Sequence, residues 1–228
     1  MARKITQKEL KQDEFVDAAV DFGKWLEDNW PKVLRWVIVV AVLAVVILSW
    51  TAYSRHNQKE AESRLSAILA TYDRLETAGF TDNEKLESVL TDLDEVAGSA
   101  GGSSSGVAHL YRGTGLFQLE RIDEAEQELQ KAISRADKGS TLYATANSVL
   151  ANVFEATGRT DEAITLLDKM LDSAGDSSQV PRDQVLLQTG MICERAGRTE
   201  EARERWERVT DEYANSVAAG EARRLLTQ

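Results

Sequence analysis

Gly102-Ser103-Ser104-Ser105-Gly106 spells the G-x-S-x-G pattern that presents a nucleophilic serine at a sharp strand-to-helix turn. That chemistry needs a strand before the serine, a helix after it and a parallel sheet beneath. A helical pattern precedes it instead, and GSAGGSSSG, residues 98–106, has the composition of a flexible loop. The same loop lacks the Gly-Lys-Ser/Thr ending of a phosphate-binding loop. Cys193 is the single cysteine, so no intramolecular disulfide can form and cysteine usage is silent on compartment. It falls at a helix-packing position, where a thiol serves as a small buried hydrophobe. His56 and His109 have no Cys, His or Asp partner at metal-ligand spacing. The carboxylates fall on solvent faces of helices. No catalytic, cofactor-binding or metal-binding constellation results, and the expectation is a protein that is not an enzyme and carries no cofactor.

The elements around these residues are helical. The 228-residue chain has only two prolines, five Phe and five Tyr, while Leu, Ala, Glu, Arg and Lys dominate. The net charge is -11, all of it on residues 55–228, because residues 1–54 balance seven basic against seven acidic side chains. So acidic a domain repels phosphate backbones and anionic lipid surfaces, which argues against nucleic acid as a partner.

From Trp36 to Trp50 the chain reads WVIVVAVLAVVILSW, with Ser49 the only polar residue. Residues 33–53, at about 1.5 Å each, span a hydrocarbon core of about 30 Å. Trp30 and Trp36 flank one end and Trp50 and Tyr53 the other, as interfacial aromatics do, and Arg35 can snorkel. The long lead and the bulky residues that follow fit an uncleaved anchor better than a signal peptide. Arg3, Lys4, Lys8, Lys11, Lys24, Lys32 and Arg35 precede the span, against Arg55, Lys59 and Arg64 just after it. That bias places the N-terminus in the cytoplasm and the large domain across the membrane. Phe15, Ala19, Phe22 and Leu26 mark a short amphipathic helix before Pro31.

Beyond the span, Leu65, Ile68, Leu69, Tyr72 and Leu75 form one apolar stripe that runs to about Ala78. Gly79 supplies a stop, Thr81 or Asp82 a cap, and Leu86, Val89, Leu90, Leu93 and Val96 a second helix. Three segments then align: IDEAEQELQKAI at 122–133, TDEAITLLDKML at 160–171 and TEEARERWERVT at 199–210. Their alanines Ala125, Ala163 and Ala202 recur at 38 and 39 residues. Each follows another helix across a turn, with Thr or Asp expected to begin the second helix. Ser216 to Leu226 reads as a cap helix.

These residues resemble the tetratricopeptide repeat. The pattern positions read Gly113, Leu116, Glu120, Ala125, Leu129 and Ala132, then Ala151, Phe154, Gly158, Ala163, Leu167 and Met170, then Gly190, Cys193, Gly197, Ala202, Trp206 and Val209. His109, Asn147 and Leu186 stand where the repeat usually has Trp, the closing Pro is absent, and the period exceeds the usual length of about 34. The expected fold is all-α: a single N-terminal transmembrane helix followed by a tetratricopeptide-like α-α superhelix. Residues 1–31 form a cytoplasmic stub, 32–54 the span, 55–105 a long helix and its partner, and 106–228 three repeats with the cap.

This architecture is similar to the family of the ancillary subunit of the SecYEG translocon, whose repeat domain is related to that of the cell-division coordinator CpoB. The resemblance implies a single-pass protein of the bacterial inner membrane with a periplasmic domain that contacts the translocon, translocating proteins or periplasmic chaperones. An envelope scaffold for division or outer-membrane assembly, self-associating into a homo-oligomer, is the alternative. Repeat geometry would line a concave protein-binding face with Leu110, Thr114, Phe117, Ser148, Asn152, Glu155, Leu187, Met191 and Glu194, a mixed apolar and acidic groove.

Overall fold

The computed structural model describes residues 29–32, 34, 42–46, 48, 59–175 and 178–227. The chain forms two compact units, residues 1–56 and 57–228. The expected amphipathic helix around Phe15–Leu26 and most of the expected span lie outside the described residues. Leu34, residues 42–46 and Leu48 are helical, and Val42, Leu43, Val45, Val46 and Leu48 are more than half exposed. Among the described residues, no helix is long and apolar enough to cross a membrane.

The described part of unit 57–228 is helical throughout, with no strand. Helix α1 is described over residues 59–77, and its stripe is buried at Leu65, Tyr72 and Leu75. It is followed by α2 (Asn83–Ser99), α3 (Gly102–Gln118), α4 (Ile122–Arg135), α5 (Thr141–Ala156), α6 (Thr160–Ser173), α7 (Arg182–Arg195), α8 (Thr199–Glu212) and α9 (Val217–Leu226). The Asp82 carboxylate accepts from Lys85 N–H at 3.0 Å and caps α2, and Ser216 caps α9 through Ala219 N–H at 3.1 Å. Both satisfy donors that a helix start leaves orphaned.

One turn is built four times. Phe80, Arg121, Arg159 and Arg198 each donate their backbone N–H to the carbonyl five residues back, on Leu75, Leu116, Phe154 and Cys193. The residue before each donor is left-handed: Gly79, Glu120, Gly158 and Gly197. This is the Schellman closure, which satisfies the last carbonyls of the first helix and reverses the chain. Its geometry also moves the second-helix cap. Arg121, Arg159 and Arg198 occupy the N-cap positions without a side-chain cap bond, and Thr160 and Thr199 are already the first helical residues. Thr160 and Thr199 thus begin their helices as expected, while the preceding arginine rather than a Thr or Asp holds the cap position.

The paired helices touch where one side chain is small. Ala125, Ala163 and Ala202 are fully buried. A Cβ on Gly113 would lie 2.8 Å from Leu129 Cγ, so the Leu129 side chain of α4 fills the space that glycine leaves on α3. Two core clusters result: one of α1, α2, Ala108 and Leu116 of α3 and Ala125 of α4, the other running from α3 to α9, with Phe117 packed against both.

The loop expected at residues 98–106 is reduced to Ala100 and Gly101, so the expected boundary at 105/106 falls inside α3. Ser104, Ser105 and Gly106 are buried. The Ser105 hydroxyl donates to Ala97 O at 2.7 Å and accepts from Arg135 at 2.6 Å. A Cβ on Gly106 would meet Leu142 Cδ2 at 2.8 Å. Small residues are required here by packing, and their composition imitates a linker.

Candidate protein-binding face

Side-chain contacts sort the repeat helices into two layers. On one side, Arg159 reaches back from the head of α6 to Glu126 of α4 at 2.5 Å, and Arg198 reaches from the head of α8 to Asp161 of α6 at 2.7 Å. Arg121 does the same from α4 to Glu87 of α2 at 3.0 Å. Arg205 of α8 adds a two-pronged pair to Asp168 of α6, at 2.6 and 2.8 Å. The second helices α2, α4, α6 and α8 are thus joined by arginines, whose planar forks suit carboxylates. The signal was in the sequence: Arg121, Arg159 and Arg198 share the spacing of the three alanines.

On the other side the first helices face one another. Gln188 of α7 donates to Ser148 O at 3.0 Å and to Asn152 Oδ1 at 2.9 Å on α5. Arg195 grips the Glu155 carboxylate, with Nη2 to Oε2 at 2.8 Å. Ser148, Asn152 and Glu155 therefore lie on the face that α5 turns to α7, and Gln188 and Arg195 join them there. Asn152 and Glu194 are exposed; Thr114, Phe117, Ser148, Glu155, Leu187 and Met191 are half-buried; Leu110 is buried. Leu110 belongs to the larger core, against which Phe117, Leu187 and Met191 also pack. The Thr114 hydroxyl is spent on Leu110 O at 2.9 Å.

The face is consequently less acidic than its residue types imply, because Glu155 arrives already neutralised. It presents half-buried apolar side chains beside amide and hydroxyl groups, which suits a segment of polypeptide.

The family described as a tetratricopeptide repeat-like domain matches residues 24–227. The chain belongs to that family. Similar solved structures include MamA, at 20% identity and a TM-score of 0.46 over 69% of this chain and 93% of that one. A tetratricopeptide repeat protein from Parabacteroides merdae gives 17%, 0.50, 69% and 59%. YrrB, described as having an unusual peptide-binding site, gives 17%, 0.48, 74% and 90%. At these identities the likeness concerns the fold alone. No curated protein matches the chain.

At His109, where the first repeat would usually carry Trp, this chain buries an ionic cluster. His109 Nδ1 lies 2.7 Å from Glu128 Oε2, and Arg112 and Lys131 each approach Glu128 Oε1 at 2.8 Å. Arg112 also holds Asp94 of α2 at 2.8 Å. His109 therefore does have an acidic partner, nineteen residues along on the facing helix, which spacing within one helix could not reveal. Burial works against the Glu128 carboxylate, but the hydrogen bonds from His109 and Lys131 and the charge of Arg112 prevail and hold its pKa at about 2. A carboxylate so firmly ionised and so thoroughly surrounded is a structural clasp between α3, α4 and α2.

The remaining reactive types are placed for packing. Cys193 is fully buried, and burial pushes its thiol above the ordinary value. Ser103, Ser104 and Ser105 lie in the first turns of α3, with no sheet beneath them among the described residues.

Proposed function

We propose that this chain is a membrane-anchored protein-binding repeat subunit, non-enzymatic, serving as an ancillary factor of the Sec translocon for translocating proteins or their periplasmic chaperones. The observation that carries the binding role is the face shared by α5 and α7, where Asn152, Gln188, Leu187 and Met191 stand beside the neutralised Glu155–Arg195 pair. Family membership supports protein binding, since stacked helix pairs expose one such layer. The membrane anchor is supported by the apolar run 33–53 and by the excess of Lys and Arg before it. The translocon assignment rests on the resemblance of the whole architecture to that subunit family.

The test is crosslinking of the full-length protein in its native membrane, with identification of what copurifies. Recovery of SecY, SecE or SecG supports the proposal. Their absence, with division or outer-membrane-assembly proteins in their place, replaces it by the envelope-scaffold reading. Met191→Arg, which adds charge to the face, should abolish the crosslinks while helicity is retained.

A further inference from the structure

The side-chain bonds that join one second helix to the next are broken off at one place. Arg205 of α8 holds Asp168 of α6, and Glu128 of α4 is joined to Asp94 of α2 through Arg112. By the spacing of the three alanines, Leu166 of α6 and Gln130 of α4 stand where Arg205 and Asp168 stand one repeat later. They form no such bond. Gln130 turns to Glu126 of its own helix at 3.1 Å, and Leu166 is half-buried. Among the described residues, the Arg159–Glu126 pair is the one side-chain polar link from α4 to α6 or its head. An open groove of about 340 Å³ runs along α6 here, lined by Phe154, Asp161, Glu162, Thr165, Leu166 and Lys169.

We infer that this groove is a second docking surface, on the layer of second helices, for a basic amphipathic helix of another protein. Phe154 and Leu166 give it apolar surface, and its volume suits a few apolar side chains from one helical face. Charge complementarity selects the rest of the occupant. Helices α3, α5 and α7 carry three charges of each sign. Helices α4, α6 and α8 carry fourteen acidic and six basic residues, a net of -8. At the groove, Arg198 divides itself between Asp161 and Glu201. Arg159 lies 2.5 Å from Glu126 but 3.9 Å from Glu162. Two cations thus serve four carboxylates, and the Asp161 and Glu162 side chains stay 93% and 58% exposed. Lys169, the remaining cation of the lining, stands two turns along α6 from Asp161, about 12 Å by helix rise. It offsets one of the two charges left over, so the groove remains acidic within an acidic layer. A Lys or Arg flanking the apolar side chains of the occupant meets Asp161 and Glu162, while an acidic occupant meets the field of the whole layer.

The full-length chain is titrated into two dye-labelled helical peptides with Leu and Ala on one face, one carrying Lys and the other Glu on the opposite face. Each is measured at about 0.1 M and about 1 M salt, between which the screening length falls from about 10 Å to about 3 Å. The Lys peptide should bind about ten-fold tighter than the Glu peptide, and lose most of that advantage at the higher salt. The double variant Gln130→Asp, Leu166→Arg copies into α4 and α6 the pair that joins α6 to α8. It should occupy the groove, retain helicity and weaken the Lys peptide about ten-fold or more. Glu162→Lys, at an exposed site, should weaken it by a similar factor, and Met191→Arg should leave it unchanged. Equal affinity for the two peptides, or undiminished binding in both groove variants, would overturn the inference. Loss of the Lys peptide in Met191→Arg alone would also overturn it, moving the contact to the face of α5 and α7 and leaving the protein-binding reading intact. A chain that binds neither peptide yet still crosslinks to proteins in its membrane would remove this surface without touching that reading.

Discussion

Gly190 packs directly on the indole of Trp206, so that a Cβ on the glycine would fall 2.7 Å from the ring's Cδ1. The largest side chain of the third repeat is accommodated by the smallest on the facing helix. Gly190→Val should overpack this contact and cost about 1–3 kcal/mol. Gly190→Val combined with Trp206→Leu should recover part of that loss, since the two sites share one volume. Urea unfolding of the four chains provides the cycle; strictly additive losses would show that the two residues do not compete for space.

Glu120 tests the repeated turn from the opposite direction. It holds a left-handed backbone, φ 59°, where two other repeats use glycine, φ 76°. A non-glycine residue in this region carries strain of about 1 kcal/mol. Glu120→Gly should therefore raise stability by about that amount, or the melting temperature by about 2–4 °C for a chain of this size. Gly158→Ala and Gly197→Ala should lower it by a similar margin. A loss of stability in Glu120→Gly would mean that the Glu120 side chain contributes more than its backbone costs.

Much of this fold can be read from residue types. Ala125, Ala163 and Ala202 mark the close helix contacts and are fully buried, and Asp82 and Ser216 cap the helices they precede. What misleads is small-residue composition that serves packing. Ser105 looks like linker, yet it bonds Ala97 O and Arg135 across helices. What stays hidden is register between repeats. Asn152 and Glu155 can be placed on a helix face from spacing alone, but their partners Gln188 and Arg195 lie 36 and 40 residues away. Only the stacking angle of α5 and α7 brings them within reach.

The Glu128 clasp makes the stability of the chain depend on acid. Its folded pKa, about 2, lies below its ordinary 4.5, so the folded state binds this proton less readily than the unfolded state does. The contribution is complete above about pH 4.5 and is lost as the pH falls toward about 2; its full size is on the order of 3 kcal/mol. Glu128→Gln should lower stability at neutral pH and flatten the loss across that window relative to the wild type. Denaturant midpoints at pH 7, 4 and 3 compare the two. Parallel curves would show that other carboxylates dominate the acid response.

The arginine contacts between second helices should matter less for each residue than their regularity suggests. Arg159 and Glu126 are partly exposed, and such pairs contribute about 1 kcal/mol or less. Arg159 also lies over the Phe154 ring, 4.3 Å from its centroid, which salt screens less than it screens the carboxylate contact. Arg159→Ala should therefore cost about 1 kcal/mol in low salt and about half as much in 1 M salt. A loss that does not change with salt would assign the effect to the ring contact alone.

Cys193 separates a packing thiol from a reactive one. It is fully buried at the position that accepts the Schellman bond from Arg198, at 2.8 Å, and burial pushes its pKa upward. Only the thiolate attacks, so the folded chain should react slowly with a thiol reagent, and labelling should follow the opening of the repeat. Adding urea below the unfolding midpoint should accelerate it in step with the unfolded population. Substitution carries the second half of the test. Cys193→Ala leaves a small apolar void and should cost about 1 kcal/mol. Cys193→Ser buries a hydroxyl in the same space and should cost more, about 1–3 kcal/mol. Rapid labelling of the native chain, or a serine variant as stable as the alanine one, would show that water reaches this site and that the thiol does more than fill the contact between α7 and α8.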